Sequence, residues 1–578
     1  MKRLLFFILL LSVIIPFAGF EKKTLAKKEK RPNIIVILAD DMGYSDIGCY
    51  GSEIRTPNLD GLAQDGLRYT QFYNTSRCCP SRASLLTGLY PHQTGLGWMT
   101  AADHQLPGYR GELNTQCVTM AEALKQSGYA TYMTGKWHLC KDPEKQKGEI
   151  YDWPLQRGFD KFYGIILGAA NYYDPGMLCR NNELITPFTD AAYHPQNYYF
   201  TEAITDNSVQ YLTDRDQTKP FFMYVAYTAA HWPMQAPATD IEKYKGVYDR
   251  GWGITREERF KKMKTLGVIK KDEELSPDDF QPWASEKDKG PMTRRMETYA
   301  AMVSNMDNGI GKIITELKRQ GLYENTIIFY LQDNGACSEI IGSGETRTAA
   351  DDTTKVKKLE SSTLQFSNKP LITRDGKYVM QGKKVMAGPA DTYVSYDREW
   401  ANVSNTPFRL YKHWVHEGGI ATPLIIHWPA GIKNKGTIVN QVGHEIDMMP
   451  TVLQLAGATY PSAYNGNKII PEEGESLVPS FSNKINRTRT LFWEHEMNRA
   501  VRMGKWKLVA EAKMLDGTGG KWKSYETSPW ELYDMSNDRS ELHNLAAKYP
   551  DTLNKMIAMW EDYAKRCNVY PQPWQKKN

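Results

Sequence analysis

The sequence predicts an α/β protein: a large mixed, mostly parallel sheet sandwiched by helices, then a small C-terminal α+β domain with an antiparallel sheet. Three observations carry this reading. Short apolar runs rich in β-branched residues, typical of strands buried on both faces, alternate with amphipathic stretches at helical spacing. Polar residues follow directly on the ends of those runs, where open α/β sheets place their ligands. After Pro479 the pattern changes to short strands in close succession.

The elements follow in chain order. Lys2 and Arg3 precede an apolar run from Leu4 to Phe17 and the small residues Ala18 and Gly19, so residues 1–20 read as a secretory signal peptide. That run is short for a membrane span, no other segment offers one, and a charged linker follows over 21–31. The main domain covers 32–479. Asn33–Ala39 is its first buried strand and ends at Asp40-Asp41-Met42-Gly43. Thr56 caps a helix that runs to Asp65 and is closed by Gly66. Pro80 suits the first turn of another helix, with Ala83, Leu85, Leu86 and Leu89 as its buried stripe. Cys78 and Cys79 therefore sit just before a helix N-terminus. A helix over Val118–Ser127 leads to a strand over Tyr129–Thr134, which delivers Gly135-Lys136-Trp137-His138. The strand Phe221–Tyr227 delivers His231-Trp232-Pro233. Residues 235–295 are charged and poor in strand signal, a helical insertion. A long amphipathic helix over Thr298–Arg319 precedes the strand Thr326–Leu331, which ends at Gln332-Asp333-Asn334-Gly335. Residues 345–400 are polar and rich in Thr, Lys and Gly, a long loop or lid, and Leu424–His427 is the next strand. The C-terminal unit, 480–578, has strands over Thr490–Glu494, Ala500–Met503 and Trp506–Ala510 and a final helix over about Leu542–Lys565.

Composition excludes some classes. Lys and Arg number 72 against 67 Asp and Glu, a net charge of +5 over 578 residues, which argues against nucleic acid as a partner. The eight cysteines could pair in an exported chain, but their spacing assigns no pairs and shows no Cys-x-x-Cys zinc pattern.

Two constellations carry chemistry. Asp40, Asp41, Asp333 and Asn334 all follow predicted strands and are hard oxygen donors, which suits Ca²⁺ or Mg²⁺ rather than zinc. The helix N-terminus at Cys78, with Arg82 one turn in, favours a tetrahedral anion such as sulfate or phosphate.

The stretch Cys78-Cys79-Pro80-Ser81-Arg82, running into Leu85-Leu86-Thr87-Gly88, resembles the signature of formylglycine-dependent sulfatases of the alkaline-phosphatase superfamily. Further blocks resemble that family in the same order. They are Ile34–Gly43, Thr134–His138, Gly158–Gly164, Asn405–Arg409 through Lys412 to Glu417-Gly418-Gly419, and Trp530–Met535. The resemblance implies the alkaline-phosphatase-like fold and an arylsulfatase-type sulfuric ester hydrolase. It implies that Cys78 is oxidised to formylglycine by a maturing enzyme, and that Asp40, Asp41, Asp333, Asn334 and residue 78 hold Ca²⁺, with Mg²⁺ less favoured. The hydrated aldehyde would attack sulfur and form a sulfo-enzyme ester. His138 would take the proton from its second hydroxyl so that sulfate departs. Arg82 and Lys136 would orient the diol, and Lys412 and His231 would contact the sulfate. Arg77, Glu339 and His495 are candidates for binding the substrate alcohol at the cleft. A sulfated carbohydrate, with galactose or hexosamine sulfates foremost, is the expected substrate of this periplasmic or extracellular chain. A phosphate mono- or diesterase of the same superfamily and a non-catalytic glycan-binding relative are the alternatives.

Overall fold

The computed structural model describes residues 31–141, 149–341, 358–482, 488–514 and 525–574; the expected signal peptide and almost all of the linker lie outside these. The apolar runs form one large sheet. Its strands are β1 (Asn33–Ala39), β2 (Leu67–Tyr73), β3 (Ala130–Lys136), β4 (Lys161–Ile165), β5 (Leu178–Arg180), β6 (Glu183–Leu184), β7 (Phe221–Ala226), β8 (Thr326–Gln332), β9 (Ala421–His427), β10 (Thr437–Val439) and β11 (Gly443–His444). Their spatial order is β10-β2-β9-β8-β1-β7-β3-β4-β5-β6, with β11 also on β2. The centre, β8-β1-β7-β3-β4, is parallel, and β9 joins it antiparallel to both β8 and β2. Every residue of β1, β3, β7, β8 and β9 is buried, as expected of strands covered by helices on both faces.

The helices differ from expectation where proline decides the boundary. The helix expected from Thr298 begins at Lys289 and runs 31 residues to Arg319. Gly290-Pro291 reads as a breaker, but in a first turn the missing proline N–H has no helical partner to lose. The apolar stripe extends back through Met296 and Met292, both buried. The final helix spans Pro550–Arg566 rather than starting near Leu542, because the residue before a proline avoids helical backbone and Pro550 fits the first position. Among the elements not foreseen are β2 and a helix over Phe200–Thr213 that packs against the long helix. The 235–295 region contains the helix Gly251–Thr265. The described part of 345–400 has no helix before Asp397 and no strand longer than an isolated bridge.

Beyond the large sheet, a four-stranded antiparallel sheet pairs Thr490–His495, Asn498–Met503, Trp506–Ala510 and Glu531–Asp534 in sequence. The final helix packs on it, with Trp560 Nε1 donating to the Trp493 carbonyl at 3.0 Å. No helix among the described residues is long and apolar enough to cross a membrane.

Candidate active site

Parallel register brings the two acidic pairs together. β1 and β8 are neighbours with Ala39 opposite Gln332, so the residues that follow, Asp40-Asp41 and Asp333-Asn334, leave the sheet side by side. β3 and β7 end at the same edge and supply Lys136, His138 and His231. The tight approach of the Asn334 loop to the Gly418-Gly419 segment requires Gly335, whose added Cβ would lie 1.8 Å from the Gly418 carbonyl oxygen.

The helix Cys78–Thr87 is buried along its whole length and ends in left-handed Gly88. Cys78 is its first residue rather than preceding it, and Arg77 caps it with extended backbone. Pro80 still falls in the first turn, so the positive end of the helix faces residue 78 as expected.

Three cations and three carboxylates interlock beneath Cys78. Lys136 Nζ lies 2.6 Å from Asp40 Oδ2. Arg82 Nη2 donates to Asp333 Oδ2 at 2.8 Å and reaches Asp40 Oδ2 at 3.5 Å. Lys412 Nζ lies 2.7 and 2.8 Å from the two oxygens of Asp41, which also accepts from Asn334 Nδ2 at 2.7 Å. His231 Nε2 is 3.3 Å from Asp41 Oδ2, and its Nδ1 is 2.7 Å from the Trp232 carbonyl.

Burial and charge set the protonation of these groups. Burial alone would raise Asp41, but His231, Lys412 and Lys136 outweigh it and hold the carboxyl well below the usual carboxylate range. Asp333 goes the other way, to about 6, through burial and repulsion from Asp40 despite Arg82. Burial pushes His138 well down, helped by Lys136 and Arg82, and pushes His231 down to about 3.

The residues fit a hard cation. Asp40 Oδ1 and Asn334 Oδ1 are buried acceptors with no hydrogen-bond partner, an arrangement that is costly unless something positive engages them. A carboxylate oxygen of Asp40, one of Asp333 and the sulfur of Cys78 lie within 4.8 Å of one another. An oxygen-dominated donor set suits Ca²⁺ or Mg²⁺.

Above this base opens a pit of about 410 Å³. Cys78, His138, His231 and Lys412 line its floor, Arg77 and Glu339 one wall, and Met99, Leu167, Trp232 and Phe366 the apolar remainder. Phe366, Ser367 and Asn368 come from the region expected to be a loop or lid. Several residues in and around the pit hold left-handed backbone although none is glycine: Asp41 (φ 57°), Ser76 (66°), His138 (55°) and His413 (86°). Such costly conformations concentrate where function fixes a side chain.

The sequence placed His495 at the cleft rim, and the structure does not. Its side chain is fully buried behind His413, with burial pushing the imidazole down to about 3. Its neighbour Glu496 reaches toward the wall instead. Glu496, in left-handed backbone at φ 49°, accepts from His413 Nδ1 at 2.9 Å and from Trp98 Nε1 at 2.9 Å. His413 in turn contacts Arg77, and Arg77 Nη1 donates to Glu339 Oε1 at 2.9 Å. His413 lies beside Lys412 and Glu496 beside His495, and these adjacencies were the available signals.

Comparison with known proteins accords with this geometry. The Sulfatase family model matches residues 32–458, and the model described as N-sulphoglucosamine sulphohydrolase, C-terminal, matches 408–562. An uncharacterized sulfatase of Schizosaccharomyces pombe is 33% identical over 574 residues, covering 94% of this chain and 96% of its own. An arylsulfatase of Klebsiella aerogenes is 33% identical over 473 residues, covering 78% and 92%. The solved structure of Ps i-CgsB in complex with k-i-k-neocarrahexaose shares the fold at a TM-score of 0.61 and 23% identity, covering 95% of this chain and 94% of that one. BT4656 in complex with its substrate D-glucosamine-2-N,6-O-disulfate does so at 0.60 and 22%, covering 95% and 100%. The chain belongs to the sulfatase family, sulfuric ester hydrolases of the alkaline-phosphatase superfamily.

Proposed function

We propose that this sulfatase hydrolyses a sulfate ester of a carbohydrate, with residue 78 as nucleophile after oxidation of Cys78 to formylglycine by a maturing enzyme. The observation that carries the reading is the position of Cys78. It opens a fully buried helix, directly above three carboxylates and an amide among which Asp40 Oδ1 and Asn334 Oδ1 face no donor. Asp40, Asp41, Asp333 and Asn334 would hold Ca²⁺, with residue 78 beside it, and the ion would supply fixed positive charge where the sulfate binds. The hydrated formylglycine supplies one hydroxyl to attack sulfur and a second whose deprotonation expels sulfate from the resulting ester.

The remaining roles fall to the chain's own side chains. Lys136 and Arg82 anchor Asp40 and Asp333 and keep positive charge under residue 78. His138 is held neutral by burial and by the cations around it, and its Nδ1 has no partner, which suits a base at the hydroxyl of residue 78. Lys412 and His231 face the pit beside Asp41, where they contact sulfate and one of them stabilises or protonates the departing oxygen. Arg77 and Glu339 on the wall support a polyhydroxylated leaving group. The N-acetylglucosamine-6-O-sulfatase of Bacteroides thetaiotaomicron, 24% identical over 623 residues, supports the carbohydrate class. Residues 1–20 would direct export to the periplasm or beyond.

The test has two parts. Peptide mass analysis should find residue 78 of the active enzyme as an aldehyde lacking sulfur. A screen of defined sulfated saccharides should find sugar sulfates cleaved, and replacing Arg77 with Ala should cut their hydrolysis far more than that of a small aryl sulfate. Equal losses on both would remove the carbohydrate reading.

A further inference from the structure

The wall above the nucleophile carries a relay of half-buried polar groups that the chemistry at sulfur does not use. Arg77 Nη1 donates to Glu339 Oε1 and contacts His413, while Arg77 Nε faces the Met99 sulfur at 3.2 Å. None of these bonds uses Nη2. Glu339 Oε1 lies 3.1 Å from His413 Nε2, and its Oε2 accepts from Trp232 Nε1 at 2.9 Å. Behind them His413 Nδ1 is tied to Glu496 Oε2, and Trp98 donates to the other Glu496 oxygen. The relay thus fixes one guanidinium and two carboxylates, joined through a single imidazole, and presents Arg77 and Glu339 to the pit.

The charge of this wall selects the ring that carries the ester. The cations at the floor are committed: Lys136 to Asp40, Arg82 to Asp333 and Lys412 to Asp41. His231 Nε2 faces Asp41 Oδ2 at 3.3 Å. At the rim stands Lys369, exposed and lying over the Trp232 ring at 5.4 Å, where solvent screens it. A second sulfate or a carboxylate on the same ring would therefore face Glu339, and the cation beside it, Arg77, is already paired with that carboxylate. A hydroxyl both donates and accepts, so it can bond Glu339 and Arg77 together.

Resting on the carbohydrate reading above, we infer that the sulfated ring is otherwise uncharged, a neutral hexose or N-acetylhexosamine. Glu339 and Arg77 determine this specificity, and His413 and Glu496 are the positioning residues that hold them. The Glu496 carboxylate comes from the turn between Thr490–His495 and Asn498–Met503, so the antiparallel C-terminal sheet takes part in choosing the substrate.

The test compares matched pairs: every monosulfated regioisomer of galactose and N-acetylglucosamine, and the same rings carrying a second sulfate. Sulfate release by the metal-loaded enzyme gives kcat/KM for each. At the position that is cleaved, the monosulfated ring should win by about tenfold or more, since like charges brought together in a partly buried site are strongly disfavoured. Glu339→Gln should narrow that ratio. Glu496→Gln should raise KM for the neutral sugar more than it lowers kcat, a split that a general loss of structure would not give. Equal or faster cleavage of the disulfated ring by the wild type would overturn the inference. So would a ratio unmoved in a Glu339→Gln protein of wild-type melting temperature. If a variant fails to fold, the wild-type ratio decides alone. Cleavage of aryl and steryl sulfates with no sugar sulfate cleaved is a different outcome, and it sinks the carbohydrate reading itself.

Discussion

Two buried clusters of charge in this protein look alike in composition and differ in how their central carboxylates are engaged. One lies under residue 78. The other joins the large sheet's domain to the C-terminal sheet around Glu417. There Glu417 Oε1 is 3.0 Å from Lys507 Nζ, and Oε2 is 3.0 Å from Arg539 Nη2 and accepts from Tyr73 at 3.1 Å. Lys507 also pairs with Glu541 at 2.8 Å, and Arg502 supports Tyr73 at 2.8 Å. Both oxygens of Glu417 are engaged by protein. Under residue 78, by contrast, Asp40 Oδ1 and Asn334 Oδ1 are left without a protein donor. A closed cluster holds two units together; a cluster with spare acceptors aimed at one point is built to receive something.

Experiments can break or sharpen that contrast. The largest effect is expected at the open cluster: Cys78→Ala should reduce sulfate release by about 10³-fold or more, while the melting temperature stays close to that of the wild type. Next, Glu417→Ala at the closed cluster leaves Lys507 and Arg539 buried without their partner. It should cost about 3–5 kcal/mol of stability in denaturant unfolding. A loss under about 1 kcal/mol, the range of exposed pairs, would mean that the junction is solvated in solution. Chelation tests the opposite prediction. Removing divalent cations should abolish turnover and lower the melting temperature by mass action, with Ca²⁺ restoring both. Identical melting curves with and without chelator would argue against an ion in the open cluster.

The smallest expected effect is in pH. Burial opposes the Glu417 charge, but Lys507, Arg539 and Arg502 prevail and bring its pKa down to about 2 from the usual 4.5. A depressed folded-state pKa gives stability that is complete above the unfolded value and is lost as protons are forced on. The Glu417 contribution should thus be whole above about pH 4.5 and fade toward pH 2, with a slope of at most about 1.4 kcal/mol per pH unit. Thermal unfolding of wild type and Glu417→Gln across that window checks the sign. The difference between them should shrink on acidification, and a growing difference would overturn it.

Much of the open cluster was legible in the chain because strand ends announce it. Asp40-Asp41 and Asp333-Asn334 each follow an apolar run, and Lys136 ends the buried strand β3. The relay of His413 and Glu496 was not legible. It joins residues separated by 83 positions and depends on left-handed backbone at both. No periodicity encodes such a contact. His495 was misplaced for the same reason: a strand residue and its neighbour face opposite sides, and the sequence does not say which faces the pit. The helix boundaries at Lys289 and Pro550 turned on proline, which reads as a breaker in a string and as a starter in a first turn.

The sequence by itself determined the fold class and the family, and it put a Cys-Pro helix start and oxygen-bearing side chains at the ends of strands. Each of these rests on local patterning: apolar runs, helix starts and residue types at the ends of strands. Only the tertiary structure decided which acceptors remain open and which carboxylates are closed by cations. It also decided that a turn of the C-terminal sheet reaches the wall of the pit. Those properties depend on register between strands far apart in the chain, and on which buried oxygen finds a donor once every other group has been packed.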